Sequence, residues 1–171
     1  MKIKYTILGL MLCVGCTQRE DHVMDKTEIQ KEGIKFHEVG YGIGNEENAR
    51  ILPDSLDPTG KSMQGDAFYI TTKTDTIPAK IGTEFGVKFN VEASAADDIE
   101  LTKIWLFPQS LTNPVTHKKY DRLIKTLWLT QSRTTYTTYK LEDSFELVKG
   151  DWKLRIYYKH HLLYSKHFWI Q

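Results

Sequence analysis

Trp152-Lys153-Leu154-Arg155-Ile156-Tyr157-Tyr158-Lys159 alternates without a break, with Trp152, Leu154, Ile156 and Tyr158 in one phase and Lys153, Arg155, Tyr157 and Lys159 in the other. Successive side chains of a β-strand point to opposite faces, so this run reads as a half-buried antiparallel strand with an apolar inner face. Lys149-Gly150-Asp151 before it is a turn, and a turn near His160-His161 leads into a second strand over Leu162–Ile170. Phe168 and Ile170 share a face there, whereas Leu163 is out of phase with Phe168, which predicts a bulge between them.

The same period recurs upstream. Phe85-Gly86-Val87-Lys88-Phe89-Asn90-Val91 alternates cleanly, and Ile99–Phe107 is apolar on both faces, as a central strand would be. Arg122–Leu129 and Thr134–Leu141 are rich in Thr, Tyr, Trp and Leu, which favour strands. Ala67–Lys73, Thr76–Ile81 and Ile34–Val39 are also strand-like. Tyr41 to Asp66, with its Gly, Asn, Asp and Pro, reads as a long loop, as does Pro108 to Lys119. No segment keeps a helical period over three turns. The sum is an all-β chain of roughly seven to nine short strands, the signature of a single antiparallel β-sandwich.

Ile77-Pro78-Ala79-Lys80-Ile81-Gly82-Thr83-Glu84-Phe85-Gly86, the Asn113-Pro114 loop, and Leu147-Val148-Lys149-Gly150-Asp151-Trp152 with its closing hairpin resemble an uncharacterised bacterial family. Members of that domain-of-unknown-function family are small, immunoglobulin-like β-sandwich proteins, often exported. The resemblance runs from Ile34 to Ile170 and rests on turns and strand starts. It implies one immunoglobulin-like sandwich over 34–171, with Gly-x-Trp opening the penultimate strand. It brings no activity and no catalytic residues.

Composition bounds the rest. The chain has 171 residues, 40% hydrophobic and 26% charged, enough for one domain with a real core. With 23 Lys+Arg against 22 Asp+Glu, it lacks the basic excess of a nucleic-acid binder. No apolar run after the first residues is long enough to span a bilayer.

Those first residues, MKIKYTILGLMLCVGC, begin with Lys2 and Lys4, continue through a short apolar stretch and end at Gly15-Cys16. This is the plan of a secretory signal. The Gly-Cys ending resembles the bacterial lipoprotein signal, in which cleavage falls before the cysteine and its thiol takes diacylglycerol. One position departs from that pattern: Cys13 stands where the family prefers Leu, with Leu12 beside it. An ordinary secretory signal containing cysteines is the alternative. The expected plan is therefore a signal over 1–15, a lipid anchor on Cys16, a charged tether over 16–33 and the sandwich over 34–171. Cys13 and Cys16 are the only cysteines, so the mature chain would carry no disulfide and no thiolate metal site. Thr17 after the anchor resembles the sorting context for an outer-membrane lipoprotein facing the periplasm.

Candidate chemistry is sparse. Asp57-Pro58-Thr59-Gly60-Lys61-Ser62 ends like a phosphate-binding loop, but Ser55 replaces its first glycine and no helix follows. Tyr41-Gly42-Ile43-Gly44 lacks the strand–turn–helix context of a dinucleotide site. His160 or His161 could approach His167 across a hairpin, yet a zinc site needs three or four convergent ligands, so no metal and no cofactor is expected. No Gly-x-Ser-x-Gly elbow is present, and Asp97-Asp98 and Glu142-Asp143 read as turn residues, so no catalytic residue is assigned and the chain is not expected to be an enzyme.

The most suggestive surface is the outward row Lys153, Arg155, Tyr157 and Lys159, with His167 and Trp169 adjacent. Basic groups beside aromatics can grip anionic polymers or sugars, with envelope glycans, lipopolysaccharide or another protein as partners, although an ordinary solvated face presents the same residues. The expectation is a lipid-anchored envelope protein, held to the membrane by acyl chains on Cys16, whose sandwich binds an envelope protein or glycan or plays a structural role. An inhibitor or immunity-type lipoprotein is the first alternative. An envelope hydrolase is the second, and it would need a concave pocket with convergent titratable groups.

Overall fold

A computed structural model of the chain describes residues 33–93, 98–130 and 133–171. The signal, Cys16 and all but the last residue of the tether lie outside the described residues, as does Asp97. In chain order the strands are β1 (Ile34–Glu47), β2 (Arg50–Pro53), β3 (Lys61–Gln64), β4 (Ala67–Thr72), β5 (Thr76–Ile77) and β6 (Glu84–Ala93). They continue with β7 (Asp98–Thr112), β8 (Lys119–Thr130), β9 (Thr135–Lys140), β10 (Gly150–Tyr158) and β11 (His161–Ile170), with a 3-10 turn at Ser144–Glu146.

Nine of these strands make the two layers, β4-β1-β6-β9 and β5-β11-β10-β7-β8, while β2 and β3 form a separate hairpin. All pairings are antiparallel except β5 on β11, a two-residue parallel contact. The inward phase read from β10 is the observed one: Trp152, Leu154 and Ile156 are buried. Trp152 packs edge-on to Phe107 at 4.7 Å and to Tyr139 at 5.0 Å, and its indole N–H donates to the Val148 carbonyl at 2.8 Å. Phe85 meets Trp105 edge-on at 5.5 Å and lies tilted against Phe168 at 5.1 Å. These rings tie both sheets into one core, because aromatic pairs favour such edge contacts.

A bulge is present, at Leu163 itself and not between it and Phe168, since the register is unbroken from Tyr164 to Ile170. Ile156 pairs with Tyr164 and Tyr157 with Leu162, so Leu163 is the extra residue of β11.

Two loops expected from sequence are corrected. Tyr41 to Asp66 is not a loop throughout: β1 runs on to Glu47, and the β2–β3 hairpin follows. Pro108 to Lys119 is a loop only over 113–118, since β7 continues to Thr112 after a register shift between Leu106 and Leu111 and β8 begins at Lys119. Proline is tolerated there because the irregularity leaves the ladder bond unneeded.

Candidate functional site

β9 ends the smaller sheet and β8 ends the larger one, leaving an open edge between the layers. Along β8 the inward phase is Leu123, Lys125, Leu127 and Leu129, and along β7 it is Leu101, Lys103, Trp105 and Phe107. The register places Lys103 directly opposite Lys125. Two ammonium groups facing each other in an otherwise apolar phase are unfavourable unless compensated.

The β2–β3 hairpin supplies half of that compensation. Its connecting loop is folded by its own carboxylates: Asp54 Oδ1 accepts from the Leu56 amide at 3.0 Å, and Asp57 Oδ1 from the Thr59 amide at 3.1 Å. The remaining oxygens, Asp54 Oδ2 and Asp57 Oδ2, each lie 2.8 Å from Lys125 Nζ. Burial works to raise the Asp54 carboxyl, but Lys125 and neighbouring amides outweigh it, and its pKa is lowered. The hairpin is fastened to the smaller sheet by the Tyr136 hydroxyl, which donates to the Gly65 carbonyl at 2.6 Å. Asn113 Nδ2 donates to the Pro58 carbonyl at 2.8 Å from the larger sheet's β7–β8 connection. It is a strap joining both layers across the open edge.

Beneath the strap is a cleft of about 470 Å³, a size suited to a small organic ligand. Its lining includes Glu46, Asp57, Glu84, Lys103, Lys125, Tyr136, Thr137 and Glu146. Glu84 is buried. Desolvation raises its pKa to about 7 against the pull of the Glu46 amide, which donates to Glu84 Oε2 at 3.1 Å, and the Glu46 carboxylate adds to the rise. Glu146 is also raised by burial to about 7, although Tyr139 donates to its Oε1 at 2.6 Å and the Glu142 and Asp143 amides to its Oε2 at 2.8 Å. Burial, and then Glu146, push the Tyr139 hydroxyl well above its usual range. Lys103 is pushed down to about 8, first by burial and then by Lys125, with Glu46, Asp57 and Asp54 opposing.

Among the described residues Lys103 makes no ion pair or hydrogen bond. Glu46 Oε2, Glu84 Oε1 and the Thr137 hydroxyl are buried without a protein partner. Glycine makes part of this geometry possible: a Cβ on Gly86 would sit 2.2 Å from the Thr137 carbonyl, so β6 and β9 approach this closely only because that side chain is missing.

The residues singled out from sequence lie elsewhere. Lys153, Arg155, Tyr157, His167 and Trp169 share the outer face of the larger sheet, with Lys153 opposite His167 and Asp151 opposite Trp169. Asp151 partly neutralises that row, 2.9 Å from His167 Nδ1 and 3.4 Å from Lys153 Nζ. Lys159 is a correction to the row: it falls in the β10–β11 turn at φ 52°, with its ammonium over the Tyr158 ring. His160 and His161 stay at that turn, at the opposite end of the hairpin from the Asp151–Trp169 pair. Among the described residues no three His, Cys, Asp or Glu side chains are grouped to hold a metal ion. Sequence reasoning missed the cleft, because the phase of Lys103 is fixed only by its pairing with Lys125.

Residues 34–170 match the model of a family described as a domain of unknown function, DUF3859. Among curated proteins none matches the sequence. Among solved structures, an immunoglobulin-like protein from Pseudomonas aeruginosa is similar at TM-score 0.58 and 22% identity, over 81% of this chain and 96% of that one. At that identity the likeness concerns the fold, and the sandwich is immunoglobulin-like. An alkylpurine DNA glycosylase from Pseudomonas fluorescens, bound to DNA containing an abasic site analog, gives a TM-score of 0.38 at 12% identity. That alignment covers 81% of this chain and 30% of the glycosylase, and carries no argument.

Proposed function

The chain belongs to the DUF3859 family, and from that premise we propose a lipid-anchored protein of the bacterial envelope whose immunoglobulin-like domain works by binding, not by catalysis. Signal cleavage before Cys16 and acylation of its thiol would hold the domain at the membrane, with the charged segment 16–33 as a tether. The observation that supports binding is the state of the cleft's ionic groups. Glu146 uses both oxygens inside the fold, and Lys125 is held by two aspartates, while Lys103 lines the cleft with no ion pair among the described residues. A general acid or base must reach the proton it moves, and Glu146, with both oxygens bonded inside the fold, does not.

Mass measurement and fractionation test the anchor. The purified product should carry diacylglycerol on Cys16, and Cys16→Ser should abolish lipid labelling and release the protein from membranes. Unchanged membrane association of the serine variant would refute it.

One observation favours the hydrolase alternative: two carboxyls raised to about 7, Glu84 and Glu146, line the same cleft. Release of reducing ends or acyl groups from isolated envelope glycans, lost in Glu84→Gln, would decide for it.

A further inference from the structure

Lys103 is the odd group of this molecule. It stands in the inward phase of β7 beside buried Leu101 and Trp105, yet no carboxylate lies within ion-pairing distance of it among the described residues. Its neighbours are otherwise engaged. Lys125 opposite is clamped by Asp54 and Asp57, Lys61 pairs with Glu142 at 3.5 Å, and Lys140 sits across from Glu84 in the β6–β9 register. An uncompensated ammonium in such a place is costly in the free protein. The Thr137 hydroxyl lines the same cleft, is 2% exposed as a residue, and has no protein partner. Glu46 Oε2 and Glu84 Oε1 are the other unpartnered groups of the cavity; with Glu84 protonated at mildly acidic pH, Lys103 and the Thr137 hydroxyl make an anion site with a neutral neighbour.

The charge of the anion follows from what surrounds it. Asp54 and Asp57 outnumber the one ammonium they hold, and Glu46 also acts on Lys103. A single negative charge is attracted to Lys103, while a second would be repelled by these carboxylates. The remaining walls, with Gln64, Thr126 and Thr135, offer donors and acceptors suited to hydroxyl groups. Resting on the binding reading above, we propose that this cleft takes a monoanionic polyhydroxy carboxylate, the chemistry of a sugar acid, with its carboxylate on Lys103 and an adjacent hydroxyl on Thr137. Such a group can be a free sugar acid or a uronic residue of a polysaccharide.

The test is titration of the full-length protein with glucuronate, glucose and glucose 6-phosphate at mildly acidic pH, followed by calorimetry and amide NMR shifts. Glucuronate should bind saturably and shift amides of β7, β9 and the strap, with glucose weaker. Lys103→Gln should weaken glucuronate about tenfold or more, the loss expected for one charge-assisted contact. Thr137→Val should cost less. Replacing an uncompensated buried ammonium by a neutral side chain does not unfold a domain, and Lys103→Met serves if glutamine fails to fold. An oligouronate binding in place of the monomer supports the polysaccharide source. Equal binding of glucose, tighter binding of the phosphate, binding insensitive to Lys103, or no binding of any of the three or of the oligouronate each overturns the assignment. The first two leave the binding reading standing; release of sugar from the oligouronate would instead overturn that reading.

Discussion

Around Trp152 the two sheets meet through aromatic rings set edge to face, whereas at the β8–β9 edge the same inward phase carries Lys103, Lys125 and Thr137. In the first region burial stabilises each ring without reference to any particular partner. In the second, each polar group needs its own partner, and a segment outside both sheets, the β2–β3 strap, supplies two of them. One region holds the fold; the other departs from the rules of a core and is the place where function is sought. The comparison breaks first at Trp152. Trp152→Ala should destabilise the domain by about 3–5 kcal/mol, the cost of emptying a large aromatic site, and also lose the bond to Val148. Urea denaturation measures it, and an unchanged midpoint would remove Trp152 from the core.

The polar region should answer to pH where the apolar one does not. Glu84 has a folded pKa of about 7 against an ordinary value of 4.5, so the native state keeps a proton that the unfolded chain releases between those values. Its stabilising contribution is complete below about 4.5 and fades as pH rises through 7. Glu84→Gln removes this dependence. The stability of the natural protein relative to the variant should therefore fall by about 1–3 kcal/mol from pH 4.5 to above pH 7, then stay level. Glu146 titrates in the same window but is present in both proteins and cancels. A pH-independent difference would mean that Glu84 is ionised throughout.

The apolar region was legible because a strand with one buried face writes its period into the sequence. Trp152 to Tyr158 and Phe85 to Val91 show it, and even the bulge at Leu163 appears as a residue out of phase. The strap shows no such period. Arg50-Ile51-Leu52-Pro53 and Lys61-Ser62-Met63-Gln64 bury no continuous apolar face, and their hairpin is set by the aspartates of the connecting turn. Lys103 was hidden by its neighbours: Ile99 to Phe107 is so apolar that one lysine looks like an outward residue, and only the pairing with Lys125 fixes its phase. Glu84 and Glu146 owe their character to burial by distant elements, which no local pattern records.

The smallest expected effect separates the two candidate surfaces. Lys153, Arg155 and Lys159 lie away from the cleft, Lys153 and Arg155 on the outer face and Lys159 in a turn. The side chains of Lys153 and Asp151 are 36% and 24% exposed, so water screens their ion pair and it adds little. Changing all three to Ser should shift stability by about 1 kcal/mol or less. Glucuronate affinity should stay within about twofold, because Lys153 and Arg155 face the side of the larger sheet away from Lys103 and are screened by solvent. If the triple variant instead loses the sugar acid while Lys103→Gln keeps it, recognition belongs to the outer sheet face. The ionic groups beneath the strap would then be a structural device that fastens the hairpin across an open edge.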